Sequence, residues 1–155
     1  MGHVSVVTGG TRGIGAAVSC AMRDAGHRVA AVYGHNDDAA NEFHAETGIS
    51  VYKIDVSDFE ACRAGVETIV ADLGPIEILV NNAGITRDKT MHRMDPEDWQ
   101  AVVDTNLGSC FNMCRCVISG MRDLNFGRIV NIGSINGQAG QYGQVNYSAA
   151  KSGVH

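Results

Sequence analysis

Three side chains near the end of the sequence carry groups that proton transfer uses: the hydroxyl of Ser134, the phenol of Tyr147 and the ammonium of Lys151. Tyr147-Ser148-Ala149-Ala150-Lys151 puts phenol and ammonium at i and i+4, on one face of a helix. An ammonium held near a phenol favours phenolate, so a group with an ordinary pKa of about 10 can exchange protons closer to neutrality. Either Tyr147 is a general acid or the pair is a common helical spacing. Ser134 sits in Gly133-Ser134-Ile135-Asn136-Gly137, after the apolar run 128–132. That is just past the carboxyl end of a strand, where ligands bind in open α/β sheets.

The elements upstream decide between those readings. Residues 4–8 read as a buried strand that runs into Gly9-Gly10-Thr11-Arg12-Gly13-Ile14-Gly15 and then a helix beginning near Ala16. Strand, glycine turn and helix form the context of a dinucleotide fingerprint, in which backbone N–H groups and a helix N-terminus approach a pyrophosphate. The second strand, 28–33, ends in Tyr33-Gly34-His35-Asn36, with no carboxylate before Asp37. An NAD site commonly has an acidic residue there for the ribose 2′-hydroxyl. Its absence, with Arg12 in the glycine loop, leaves room for a 2′-phosphate and a charge to meet it, which points to NADPH. The alternative is a solvated Arg12, with Asp37 bending back to the ribose.

A polar helix over 37–46 leads to a third strand, 48–54, that ends at Asp55. This carboxylate either accepts from an adenine amino group or competes with Ser57 and Asp58 to cap the next helix, 58–73. Gly74-Pro75 stops that helix, and a fourth strand, 76–80, delivers Asn81-Asn82-Ala83-Gly84. Small residues there let backbone pass beneath a cofactor, while Asn81 is as well placed to pin neighbouring strands. Asp95-Pro96 opens the longest helix, with Asp95 as N-cap and apolar positions Trp99, Val102, Val103, Leu107 and Phe111 running on to Met121. Asn106 is a polar amide among them, either satisfied locally or holding a water in a site. Met91 and Met94 read as packing residues.

The order β-α-β-α-β-α-β-α-β, then the start of a helix, predicts an α/β, Rossmann-like doubly wound parallel sheet in one domain, 1–155, truncated after about five strands. Helix 147–155 is expected to leave one flank of the fifth strand uncovered. With 45% hydrophobic and 19% charged residues the composition is that of an ordinary globular protein. The formal net charge of −5 argues against a nucleic-acid or anionic-membrane partner. No apolar run approaches the roughly 18 residues of a membrane span, and residues 1–4 enter a strand without a leader pattern, so a cytoplasmic location is expected. Five cysteines lack a disulfide spacing; Cys110, Cys114 and Cys116 read as small apolar residues rather than as a metal site.

Thr8-Gly9-x-x-x-Gly13-x-Gly15, Asp55, Asn82-Ala83-Gly84, Asn106, Ser134 and Tyr147-x-x-x-Lys151 together resemble the short-chain dehydrogenase/reductase family, with motif order and spacing matching over the whole chain. By this resemblance Ser134 bonds the substrate carbonyl and Tyr147 gives the proton. Lys151 binds the nicotinamide ribose and Asn106 holds a relay water. Gly9, Thr11, Arg12, Gly13, Ile14 and Gly15 hold the pyrophosphate side of NADPH, Asp55 the adenine, and Asn82, Ala83 and Gly84 the adenosine. The loops 82–88 and 136–147 are similar to those of the family branch that reduces 3-oxoacyl-CoA thioesters to (R)-3-hydroxyacyl-CoA, with the acyl-carrier-protein thioester as the sibling substrate. Asp88, Gln141, Tyr142 and Gln144 would then line the acyl pocket. Gly133 stands where the family often has a second Ser. The resemblance also implies a fold of roughly 250 residues, near the upper end for one α/β domain, and a tetramer through the helices ending near Met121 and opening at Tyr147.

Overall fold

In the computed structural model, residues 2–155 are described. Five strands, β1 (Val4–Thr8), β2 (Arg28–Tyr33), β3 (Ser50–Lys53), β4 (Ile78–Asn81) and β5 (Arg128–Asn131), form one sheet in the order β3-β2-β1-β4-β5. Every pairing is parallel, with Val6 opposite Ala30 and Leu79, and Leu79 opposite Ile129. The helices are α1 (Gly13–Asp24), α2 (Asp37–Thr47), α3 (Phe59–Leu73), α4 (Pro96–Val103), α5 (Ser109–Asp123), α6 (Asn136–Ala139) and α7 (Val145–Val154). This is the Rossmann-like architecture that the alternation of apolar runs predicts, and its order reverses beside β1, where such sheets form their ligand crevice.

Side chains of β1 and its neighbours alternate between two cores, as the period of two requires. Val4, Val6, Ala30, Val32 and Leu79 pack with Cys62, Ile69, Met113 and Val117 of α3 and α5. Val7, Val29, Ala31 and Val80 face the other way, onto Phe43 of α2 and Ala16 and Val18 of α1. Each fully buried Val, Leu or Ile contributes roughly 1.5–3 kcal/mol relative to exposure, so β1, buried along its whole length, anchors both layers. The Asn36 side chain caps α2 by accepting from the Ala39 amide at 2.9 Å, and Gly48 ends that helix at φ +71°. At the far edge all four residues of β5 are exposed, Ile129 and Val130 included.

Several expectations are corrected. The long helix is not uniform: a π-helical turn, Asp104–Gly108, separates α4 from α5. Its extra residue rotates the following faces by about 100° relative to an unbroken helix. Phe111, counted into the apolar stripe, is therefore 67% exposed, and Met113 and Val117 turn inward instead, while Met121 is buried as the stripe predicts. Asp95 stands at the head of α4, but its carboxylate makes no cap and instead takes the Lys89 ammonium at 2.7 Å. Met91 is 74% exposed in a single 3-10 turn, Met91–Arg93, and does not pack. The segment read as loop after Ser134 contains α6, and β3 is shorter than its apolar run. Cys114 and Cys116 pack against the core beside α3, and Cys110 Sγ donates to the Asn106 carbonyl.

Candidate active site

A cleft of about 850 Å³ opens along the carboxyl ends of β1 to β4, lined by Gly9, Arg12, Tyr33, Asp55, Ala83 and Gly84 among others. A second hollow of about 400 Å³ shares Gly9, Arg12, Ala83 and Gly84 and adds Thr11, Gly13, Ile14, Gly15 and Asn82. The sequence thus places all ten proposed cofactor residues outside α7 around one crevice. The glycine loop is shaped by sterics: Gly9 has φ +63°, and a Cβ on Gly15 would collide with the Gly9 carbonyl. Arg12, at the head of α1, offers no side-chain cap, so the first N–H groups of that helix face the hollow without a side-chain acceptor. A cradle of open amides beside a cleft of this size fits a dinucleotide pyrophosphate.

The loop after β4 is fastened to the loop after β1. Thr8 Oγ1 accepts from the amides of Asn82 and Ala83, both at 3.0 Å, and Asn82 Nδ2 donates to the Thr8 carbonyl at 2.9 Å and the Gly9 carbonyl at 3.3 Å. The Asn82 side chain is thus a positioning group for the cradle, and Thr8, which the motif contained, is its counterpart. Asn81 takes the structural role that its position suggested: its Nδ2 donates to Asn131 Oδ1 at 2.8 Å, joining β4 to β5. Asp55 does not cap α3. It accepts from the Ser57 amide and hydroxyl, which hold its carboxyl below the usual range, while Asp58 accepts from the Ala61 amide at the head of the helix. Asp55 remains on the cleft wall.

Tyr147 and Lys151 share one face of α7, with the Lys151 ammonium 5.9 Å from the phenol ring centre. Lys151 is buried, and desolvation pushes its ammonium down from the ordinary value; it donates to the Ile132 carbonyl at 2.7 Å. Asn106 lies in the π-helical turn, fully buried. Its Nδ2 donates to the carbonyls of Ile85 and Val102, both at 2.9 Å, whereas its Oδ1 has no protein partner. A Cβ added to Gly84 would stand 2.5 Å from that Oδ1 and 4.0 Å from Lys151 Nζ, so Gly84, Asn106 and Lys151 converge. A buried, unpartnered carbonyl oxygen in a polar site is a place for a water. Ser134 follows β5 at the head of α6, and its hydroxyl accepts from the Asn136 amide at 3.2 Å.

The proposed acyl-pocket residues divide. Gln144 Nε2 donates to Asp88 Oδ2 at 2.8 Å and its Oε1 accepts from Asn136 Nδ2 at 2.9 Å, so both ends of this amide are engaged as a strut. Gln141 and Tyr142 are exposed, Tyr142 at 87%. Asn136 and Asn146 were not anticipated. Asn146 is buried; its Nδ2 donates to the carbonyls of Arg87 and Asp98 and its Oδ1 accepts from the Tyr147 amide at 2.8 Å. Its place directly before Tyr147 was the one available signal. No group of three or more His, Cys, Asp or Glu among the described residues is arranged to hold a metal ion.

The family model for short chain dehydrogenases matches residues 3–155. The chain is 63% identical over 153 residues to an acetoacetyl-CoA reductase of Shinella zoogloeoides and 60% identical to one of Rhizobium meliloti (strain 1021), covering 99% of this chain and 64% of each relative. It is 43% identical to a 3-oxoacyl-acyl-carrier-protein reductase of Chlamydia muridarum, covering 97% of this chain and 62% of the relative. The chain therefore spans a little under two thirds of the length of the curated relatives that it matches. From the glycine cradle to the tyrosine helix, it belongs to the short-chain dehydrogenase family.

Proposed function

We propose that the protein is a reductase of 3-oxoacyl thioesters that uses NADPH and reduces acetoacetyl-CoA to (R)-3-hydroxybutanoyl-CoA, the reduction step of polyhydroxybutyrate synthesis. The observation that carries it is the convergence of Gly84, the unpartnered Asn106 Oδ1 and the buried Lys151 beside Tyr147, at the end of a cleft walled by the glycine cradle. The relatives named acetoacetyl-CoA reductase at 60–63% identity favour the CoA thioester over the carrier-protein thioester, which the 43% relative keeps as the second reading.

The nicotinamide supplies the hydride when bound. Each remaining task falls to this chain. The amides of the glycine loop and α1 hold the pyrophosphate, with Arg12 toward a 2′-phosphate and Asp55 toward the adenine. The Ser134 hydroxyl donates to the substrate carbonyl oxygen and orients it. Tyr147 delivers its phenolic proton to the same oxygen as the carbonyl is reduced. Lys151, fixed on the Ile132 carbonyl, holds the ribose and presents a positive charge to the phenol. A water on Asn106 Oδ1 leads protons back toward Lys151. Asp88 and Gln144 brace the loop over the acyl chain, with Gln141 and Tyr142 toward solvent on that side. In the family-length protein α5 and α7 are the proposed tetramer faces. No helix among the described residues is long and apolar enough to cross a membrane; the proposed site of action is the cytoplasm.

The test is NADPH consumption with acetoacetyl-CoA by this chain and by the same chain extended to the relatives' length, each beside its Tyr147→Phe variant. We expect turnover by the extended protein, lost in Tyr147→Phe while NADPH affinity stays within a few fold. Activity retained by Tyr147→Phe removes the proton-donor role, and silence with the CoA ester but turnover with the carrier-protein ester moves the substrate to the second reading.

A further inference from the structure

The cleft wall at the end of β2 carries a feature that the proposed reaction does not use. Tyr33 and Lys53 are register partners at the carboxyl ends of β2 and β3, so their side chains leave the same face of the sheet. The first turn of α2 brings Asp37 over them. Its Oδ2 lies 2.9 Å from Lys53 Nζ, and the Lys53 ammonium, with the nearby Tyr33 phenol, holds its carboxyl below the usual range. Tyr33, Asp37 and Arg12 all line the cleft.

Both members of the ion pair are about half exposed, 53% for Lys53 and 55% for Asp37, and such pairs contribute little to stability. Their position matters more. In doubly wound folds a carboxylate near the end of β2 accepts from the ribose 2′-hydroxyl of NADH, and the same charge repels the 2′-phosphate of NADPH. Asp37 is the first carboxylate after β2, and Asp38 follows it on the same wall. With Asp37 free, that wall would oppose a 2′-phosphate despite Arg12.

We infer that Lys53 sets the dinucleotide preference, by neutralising Asp37 and drawing its carboxylate toward β3, away from the ribose hydroxyl that it would otherwise accept from. The inference rests on the NADPH reading above. Lys53 acts through Asp37 and is a positioning residue. The carboxylate that favours NADH is thus present in the sequence, and a neighbouring strand withholds it.

The experiment is titration of the full 155-residue chain with NADPH and with NADH at low salt, for wild type, Lys53→Met, Lys53→Arg, Asp37→Asn and the Lys53→Met/Asp37→Asn double variant. Wild type is expected to prefer NADPH. Lys53→Met should lower the NADPH/NADH affinity ratio by about tenfold, an effect that shrinks toward 1 M salt as screening shortens the reach of Asp37. Lys53→Arg should keep the wild-type ratio and the double variant should restore it, neither of which a merely structural loss would do. Asp37→Asn alone should hold or widen the preference, which gives an independent reading if Lys53→Met does not fold. Wild type preferring NADPH with Lys53→Met unchanged within twofold overturns this inference alone, as does a fall in the ratio that the second substitution leaves in place. Wild type without an NADPH preference removes both this inference and the cofactor reading.

Discussion

At the end of β1 the crevice is held by side chains clamped onto neighbouring backbone, beneath a strand that is buried along its whole length. At the end of β5 it is held by side chains clamped onto each other, the amides Asn81 on Asn131 and Asn136 on Gln144, with Gln144 on the Asp88 carboxylate, beside a strand exposed at every residue. The first arrangement draws on both cores and fixes the glycine loop and its proposed nucleotide cradle before any ligand arrives. The second depends on a few partly exposed hydrogen bonds, each worth about 1 kcal/mol, and such regions open locally at lower cost. The glycine cradle and the helix of Tyr147 and Lys151 are therefore unequal partners, and Gly84 is where they meet.

The substitution with the largest expected effect acts at that meeting point. Gly84→Ala would place a methyl 2.5 Å from Asn106 Oδ1 and push that side chain out of its place. Reductase turnover of the family-length protein should fall on the order of 100-fold, because small misplacements at a reacting centre cost that much. Turnover within threefold of wild type would mean that the two regions do not couple through Gly84. Next in size is a paired measurement. Thr8→Val strips two amides of their acceptor and should cost about 2 kcal/mol in urea unfolding, whereas Asn131→Ala should cost about 1 kcal/mol and speed amide exchange in β5 alone. The reverse order would overturn the contrast.

The smallest effect is electrostatic. Burial holds the Lys151 ammonium below its ordinary value, so near neutrality the folded protein carries a cation that water would solvate better. As pH rises through the folded value toward 10.5, the unfolded chain binds more protons than the native one, and stability should rise. Lys151→Met should lack that alkaline rise; urea titrations of both proteins from neutral to alkaline pH measure it, and parallel curves would show that burial of Lys151 carries no such cost.

Much of this was legible because strand and helix periods are strong signals. The runs 4–8 and 28–33 are β1 and β2 to the residue, and the glycine spacing marks the turn between β1 and α1. What escaped has physical reasons. α6 spans four residues, too few to display a helical period. A π-helical turn differs from an α-helix by one hydrogen-bond step and leaves no mark in composition, so the phase of the stripe beyond Asn106 was misread. Met91 is apolar but exposed, since residue type alone does not tell a core from a surface. The Lys53–Asp37 pair joins a strand end to a helix start, a proximity that only the sheet order creates.

The π-helical turn also lets one rod be read in two directions. α4 lies against α7, whereas α5 lies against α3 and the sheet. A strictly periodic helix would carry one apolar seam and serve one of these neighbours well. The added residue rephases the seam midway, so that the front of the rod supports the tyrosine helix and the rear belongs to the core. Asn106 sits at the phase boundary, where neither seam claims its carbonyl oxygen, and the same irregularity that reconciles two packing surfaces leaves a polar atom free within the site.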